Sequence, residues 1–274
     1  TFTRAPLVSL PVSSSLRSMS SYPRVGVLVA AGAAVSLAVW LILKNRKAKK
    51  KPKQICFAVT GFGKFRGVDD NPTEILAKIL PAWLKKHPLP PNVLVDRCQI
   101  LEVSGEGSRE QLGMMRDSCF QSTGQMRVWV HLGVDARSKK FKIERCAWNE
   151  ATFRVPDERG WEPNDDAIVP EDKKGSALVS KIPISNVCSA LRRKGYSVEA
   201  SRDPGRFVCN WLYYCSLSAC KLNNATALAS GGECGLDVLE DSVFVHVPPF
   251  EVFDSDKQLT FIQAALTEIA KKLL

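Results

Sequence analysis

The first 68 residues of the sequence contain no aspartate and no glutamate, although they carry twelve lysines and arginines. The other 206 residues hold 26 basic and 28 acidic side chains, so their net charge is −2 and the overall charge of +10 comes from the N-terminal region. A protein that reads nucleic acid carries its basic patch on the folded domain. We therefore expect this protein to have no nucleic-acid partner.

The nine cysteines include no CxxC pair, and their number is odd. Paired cysteines mark structural zinc sites, and even sets mark disulfide frameworks. The sequence therefore predicts reduced thiols in a cytosol-like compartment and no metal site. A nucleotide-binding signature is also lacking, because the glycine-rich turn GFGKF at 61–65 has neither the GxGxxG spacing nor the GK[ST] ending. We expect no cofactor.

Residues 1–24 are rich in serine and include three arginines but no acidic residue. This composition is typical of an organelle targeting segment, and it also fits a disordered tail. The sequence leaves these two interpretations open.

Residues 25–43 form a run of 19 residues without a charge, VGVLVAAGAAVSLAVWLIL. As a helix this run would span roughly 28 Å, enough to cross the hydrocarbon core of a bilayer. Seven lysines and arginines follow it within residues 44–53, against three arginines before it. We predict a transmembrane helix at 25–43 and a polybasic linker at 44–53, with the following domain anchored to the membrane and facing the cytosol. The alternative for the segment is a buried core helix. The alternative for the location is a soluble protein of the cytosol or of an organelle after N-terminal processing.

Between residues 54 and 274, short apolar runs alternate with amphipathic segments. The pattern predicts strands at 55–60, 93–101, 127–132, 140–146, 196–200 and 242–247, and helices at 72–86, 108–122, 184–194, 204–217 and 258–274. This alternation predicts an α/β domain whose mostly parallel sheet is covered by helices on both faces. We expect irregular surface structure at 149–183 and an inserted loop at 223–240.

One cysteine lies near the start of a predicted helix, in the stretch SRDPGRFVCNWLYYCSL at 201–217. Pro204 suits a first helical position, and Asp203 before it can cap the free N–H groups. Cys209 would then lie about one turn from the positive end of the helix dipole, which favours the reactive thiolate form of a cysteine. The alternative interpretation is a small apolar side chain in the core.

Only three histidines are available as a base, His87, His131 and His246. His87 lies at a helix end, where we expect it to be solvated, and His131 lies inside an apolar strand, where we expect a hydrogen-bonded core residue. His246 is the last polar residue of a strand that ends at two prolines. Because sites in open α/β sheets form at the carboxyl ends of the strands, His246 is the best partner for Cys209.

A carboxylate that orients the imidazole would complete a cysteine hydrolase triad. Asp135, Glu144 and Asp203 lie near predicted strand ends. We favour Glu144, because it lies on the charged face of the alternating strand at 140–146.

Four separated motifs resemble those of the pyroglutamyl-peptidase I family, also called pyrrolidone-carboxylate peptidases. They are VTGFGKF with a downstream NPT, the GVDA turn followed by IERCAWN, DPGRFVCN, and FVHVPP, in the family's order and approximate spacing from Ile55 to Leu274. The resemblance implies a three-layer α/β/α sandwich at 54–274. It also implies a cysteine peptidase that hydrolyses the bond after an N-terminal pyroglutamyl residue of a peptide through a thioester, without a metal or an organic cofactor.

The resemblance assigns roles to individual residues. It implies Cys209 as the nucleophile, His246 as the general acid and base, and Glu144 as the group that orients the imidazole. The residues that it implies as walls of the lactam pocket are Phe62, Phe65, Phe207 and Val208.

Asn71, the predicted cap of the helix at 72–86, joins the substrate-binding candidates. The chain departs from the family pattern at Lys64, Val134 and Pro204. The alternative function is a membrane-tethered, catalytically silent binding module that keeps the fold and the pocket. The sequence leaves open whether the chain forms a homo-oligomer.

Overall fold

A computed structural model of the protein describes residues 53–65, 70–118, 125–229 and 240–274. The predicted tail at 1–24, the predicted transmembrane helix at 25–43 and nearly all of the linker at 44–53 lie outside the described residues. Within the described ranges, no helix is both long enough and apolar enough to cross a membrane. The transmembrane helix therefore stays a prediction.

The described part of the chain contains one sheet of six strands and one of two. In chain order the strands are β1 (Gln54–Phe62), β2 (Val93–Leu101), β3 (Gln125–Val134), β4 (Phe141–Glu144), β5 (Cys146–Trp148), β6 (Ala177–Val179), β7 (Val198–Ser201) and β8 (Glu240–Val247). The large sheet has the order β2-β1-β3-β8-β4-β7, and β5 pairs with β6. Neighbours in the large sheet are parallel except β4 and β8, which are antiparallel. The predicted mostly parallel sheet is confirmed.

Helices cover both faces of this sheet. They are α1 (Pro72–Lys86), α2 (Gly105–Asp117), α3 (Ile184–Arg193), α4 (Val208–Ala229) and α5 (Ser255–Leu273). Apolar side chains of α1, α3 and α5 share one buried core with one face of the sheet, and those of α2 and α4 share a second core with the other face. The three-layer α/β/α arrangement is therefore confirmed.

Strand β8 shows how this layering places side chains. Val243 and Val245 lie in the core on the side of α1, α3 and α5, whereas Phe244 lies in the core on the side of α2 and α4. Because side chains alternate between the two faces of a strand, His246 shares the face of Phe244. The histidine therefore faces the layer that contains Cys209.

The predicted start and end of the cysteine helix were wrong. The helix begins at Val208 rather than at Pro204 and continues to Ala229 rather than ending near Leu217. Gly205 has a φ of +81°, which a right-handed helix cannot include. Its N–H donates to the side chain of Asp203, so a tight turn precedes the helix. Part of the loop predicted at 223–240 is thus helical, and residues 230–239 lie outside the described ranges.

The strand predicted at 140–146 is divided at Arg145. The Arg145 N–H donates to the Ser201 carbonyl of β7, while the Arg145 carbonyl accepts from Ser180 beside β6. The chain therefore leaves the large sheet at this residue and enters the two-stranded one. Glu144 is left as the last residue of β4.

Candidate active site

Cys209 is the second residue of α4 and is half-buried. The next side chain, the buried amide of Asn210, fixes the helix start to β5 and the chain after it. Asn210 accepts from the N–H of Trp148 at 2.8 Å and donates to the carbonyls of Trp148 and Glu150, both at 2.9 Å. These three hydrogen bonds fix the start of α4, and with it the Cys209 thiol, relative to β5.

Gly133, near the carboxyl end of β3, provides the space in which the thiol lies. A Cβ atom at this position would lie 3.1 Å from Cys209 Sγ and 2.6 Å from a ring carbon of Phe244. A larger residue would therefore displace one of these two side chains. Sequence reasoning missed Gly133, although a glycine inside an apolar strand is a signal of close approach.

His246 lies between Cys209 and a buried carboxylate. Its Nδ1 is 2.9 Å from Oε1 of Glu144, and the imidazole also interacts with the Cys209 thiol. Burial disfavours the charged imidazole, but the hydrogen bonds and charges of Cys209 and Glu144 outweigh this and raise the pKa of His246 to about 10. The arrangement can hold a thiolate and imidazolium pair with a carboxylate behind it.

The antiparallel pairing of β4 with β8 produces this contact. It sets Glu144 opposite Phe244 and Lys142 opposite His246. Lys142 and Glu144 lie two residues apart and so share a face of β4 with the imidazole. The Lys142 ammonium binds Asp135 at 2.8 Å, and Asp203 binds Arg206 at 2.8 Å. Of the three carboxylates considered from the sequence, Glu144 is the one hydrogen-bonded to His246.

The other two histidines lie where the sequence placed them. His131 is fully buried, and its Nδ1 is 2.8 Å from the hydroxyl of Thr60. Burial, with a smaller effect of Arg116, lowers the pKa of His131 to about 3, so it is neutral. His87 is exposed at the end of α1 and stacks on Trp83.

A cavity of about 1050 Å³ opens over the thiol, and all eight site candidates named from the sequence line it. They are Phe62, Phe65, Asn71, Glu144, Phe207, Val208, Cys209 and His246. The irregular segment 149–176 forms part of the same wall through Thr152 and Arg154. Within that segment, the ring of Phe153 packs edge-on against Phe207 at 4.7 Å and fixes its orientation.

Both ends of the Asn71 amide are bonded within the protein. Its oxygen accepts from the Thr73 N–H at the start of α1, and its nitrogen donates to the Gly63 carbonyl at 2.8 Å. Asn71 therefore ties the loop between Phe62 and Phe65 to the helix. Within the described ranges, no group of three His, Cys, Asp or Glu side chains could hold a metal ion.

Two of the three departures from the family pattern border the cavity. Val134 and Pro204 line it, whereas Lys64 is exposed and does not. Pro204 lies in the turn before α4, and Val134 follows Gly133 at the end of β3.

The chain is similar in sequence to known pyroglutamyl peptidases. A sequence profile of the family described as pyroglutamyl peptidase matches residues 56–231. The chain is 27% identical over 161 residues to a pyrrolidone-carboxylate peptidase of Pyrococcus furiosus, covering 58% of this chain and 70% of that protein. It is 28% identical over 195 residues to a pyrrolidone-carboxylate peptidase of Enterobacter sp., covering 69% of this chain and 76% of that protein.

Solved structures of pyrrolidone carboxyl peptidases share the fold of this chain. A mutant pyrrolidone carboxyl peptidase from Pyrococcus furiosus matches with a TM-score of 0.61 and 25% identity, covering 80% of this chain and 100% of that one. The enzyme from Thermococcus litoralis, at 21% identity, shares the fold with a TM-score of 0.63, covering 80% of this chain and 94% of that one. The resemblance drawn from the four motifs is confirmed.

We predict that iodoacetamide at pH 6 alkylates Cys209 faster than Cys98. Both thiols are half-buried, but burial and the nearby Asp96 raise the pKa of Cys98 to about 12, whereas Cys209 contacts an imidazole that is charged at this pH. Since the thiolate is the reactive form, peptide mass spectrometry should find Cys209 labelled at least about tenfold faster. Replacing His246 by Ala should slow the labelling of Cys209, because the imidazolium that favours its thiolate is gone. Equal labelling of the two thiols in the unmodified protein would contradict the ion pair.

Proposed function

Because the chain belongs to the pyroglutamyl peptidase family of cysteine peptidases, we propose that it removes an N-terminal pyroglutamyl residue from peptides. It is a hydrolase of the pyroglutamyl-peptidase I type. The observation that carries the proposal for this chain is the contact of Cys209, His246 and Glu144 at the edge of an apolar cavity.

The reaction would begin with Cys209 as a thiolate and His246 as an imidazolium. The thiolate attacks the carbonyl that joins pyroglutamate to the next residue, and the carbonyl oxygen takes up the negative charge. N–H groups in the first turn of α4 have no partner inside the helix and are suited to stabilise that charge. His246 then donates its proton to the leaving amine, so the peptide departs and a thioester remains.

Hydrolysis of the thioester would complete the cycle. His246, now neutral, accepts a proton from water as the water attacks the thioester carbonyl, and Cys209 leaves as a thiolate. Glu144 orients the imidazole and stabilises its charged form throughout. The sequence of steps consumes one water and restores the ion pair.

The cavity supports the substrate class. A pyroglutamyl ring is flat and uncharged, so it requires apolar walls and a few hydrogen bonds rather than an ion pair. Phe62, Phe65, Phe207 and Val208 provide such walls. Cavities of about 300–1,000 Å³ accept molecules of drug size. The cavity here, at about 1050 Å³, therefore has room for the ring and for the residue that follows it.

We predict that the full chain, under reducing conditions, releases aminomethylcoumarin from its pyroglutamyl amide and that Cys209→Ala lowers kcat/KM by at least about 10³-fold. The loss follows because no nucleophile remains. Cys98→Ala is the matched control, since Cys98 lies on β2 and does not line the cavity. Release that survives Cys209→Ala would reject the mechanism. Tight binding of pyroglutamyl peptides without release by a folded unmodified chain would favour the catalytically silent binding module.

We predict that Glu144→Gln lowers kcat by up to about 10⁴-fold and moves the alkaline limb of the kcat/KM profile to lower pH. The pKa of His246 is raised to about 10 in part by Glu144, so the imidazolium persists well above its ordinary range. A neutral amide supports that charge less, and the imidazole then loses its proton at lower pH. A pH profile from 5 to 11 measures the change. An alkaline limb that stays in place or moves upward would contradict the role of Glu144.

We further propose that the peptidase is attached to a membrane through residues 25–43, with its catalytic domain in the cytosol. The uncharged run and the seven cations after it support this attachment. After expression in eukaryotic cells, the full chain should stay in the membrane pellet through carbonate extraction, and a variant lacking residues 25–43 should not. In sealed vesicles whose cytosolic face points outward, added protease should digest the catalytic domain. Extraction of the full chain by carbonate would contradict the anchor.

A further inference from the structure

Tyr213 of α4 takes part in no step of the proposed mechanism, but it contacts Glu144 and also Phe244, the neighbour of His246. Tyr213 lies four residues after Cys209 and therefore on the same side of the helix. It is fully buried, and its hydroxyl donates to the main-chain carbonyl of Glu144 at 3.0 Å. The helix that carries the thiol is thus bonded directly to the strand that carries the carboxylate.

The hydrogen bond from the Tyr213 hydroxyl reaches β4 at the end of the strand. Glu144 is the last residue of the strand, and its pairing with Phe244 is the last one between β4 and β8. Beyond it the chain leaves the large sheet. The Tyr213 hydroxyl therefore holds the main chain at the point where the sheet pairing ends.

The Glu144 side chain itself has little support. Its Oε1 contacts His246, and its buried Oε2 has no hydrogen-bond partner in the described part of the chain. Apart from its contact with His246, the placement of the carboxylate therefore depends on the main chain of Glu144. A shift of that main chain would move Oε1 away from the imidazole.

Tyr213 also contacts the aromatic neighbour of the histidine. Its ring lies 5.9 Å from that of Phe244 at an angle of 49°, and the Phe244 ring lies 4.8 Å from the imidazole of His246. One side chain thus packs against the residue beside the imidazole and bonds the residue that carries the carboxylate.

We propose that Tyr213 is a positioning residue for the contact between Glu144 and His246. Its hydroxyl fixes the distance between α4 and the end of β4, so that the carboxylate, the imidazole and the thiol stay in line. The expected effect on turnover rests on the proposed function, whereas the expected effect on the titration of His246 does not.

The test is Tyr213→Phe in the full chain, which removes the hydroxyl and keeps the ring. We expect kcat for the pyroglutamyl amide to fall roughly tenfold, the scale of one buried hydrogen bond, with KM unchanged. We also expect the His246 imidazole to titrate at lower pH. Histidine-labelled protein reports this by NMR without substrate, and since the sequence has three histidines, loss of the signal in His246→Gln identifies it.

Tyr214→Phe is the matched control. This neighbouring tyrosine is also buried in α4, but its hydroxyl donates to Asp172 of the irregular segment at 2.8 Å. We expect this variant to leave both the titration of His246 and kcat as in the unmodified chain.

A double variant separates positioning from general stability. In a Glu144→Gln background, Tyr213→Phe should cause no further change in the titration of His246, because the carboxylate that it positions is gone. An unchanged titration in the single variant, or an equal change in both backgrounds, would overturn the proposal. If the unmodified chain failed to cleave the amide, the proposed function would fail, while the titration would still decide the role of Tyr213.

Discussion

A positively charged imidazole inside a protein requires negative charge in direct contact, because an unpaired buried ion is strongly unfavourable. His246 is largely buried and lies against the ring of Phe244, so water can supply little of that compensation. The Glu144 carboxylate on one side and the Cys209 thiol on the other do so instead. The same two contacts that make the buried charge tolerable also favour a nucleophilic thiolate. Stability and chemical function therefore depend on one set of atoms.

The topology of the sheet explains how Cys209 and Glu144, which lie 37 and 102 positions before His246 along the chain, reach this imidazole. Strand β4 enters antiparallel beside β8, and this register brings Glu144 to the histidine. Strand β7 then leads through a tight turn at Gly205 into α4, whose second residue is the cysteine. The helix start is fixed by the Asn210 amide and by the space above Gly133. Each of the three groups is thus placed by regular structure, which keeps their geometry rigid.

The sequence predicted the layered α/β fold from local pattern, and the strand-end argument together with the family motifs singled out Cys209, His246 and Glu144. Alternating apolar residues identify strands, and a histidine before two prolines marks a strand end. The start of α4 could not be predicted in this way, because Pro204 is acceptable in a helix by itself and the φ of Gly205 is set by the surrounding turn. Gly133 and Tyr213 were missed for a related reason. Their roles come from contacts with residues distant in sequence, which periodicity does not report.

The apolar lining of the site also bears on which peptide termini it admits under the proposed function. An ordinary N-terminus is a protonated amine, and in this cavity it would lose its hydration against Phe62, Phe65 and Phe207. A pyroglutamyl ring has no such charge, because its nitrogen is part of a lactam. The apolar walls therefore accept the lactam and disfavour a free N-terminus, so that the residues that shape the cavity also discriminate between a cyclised and an open terminus.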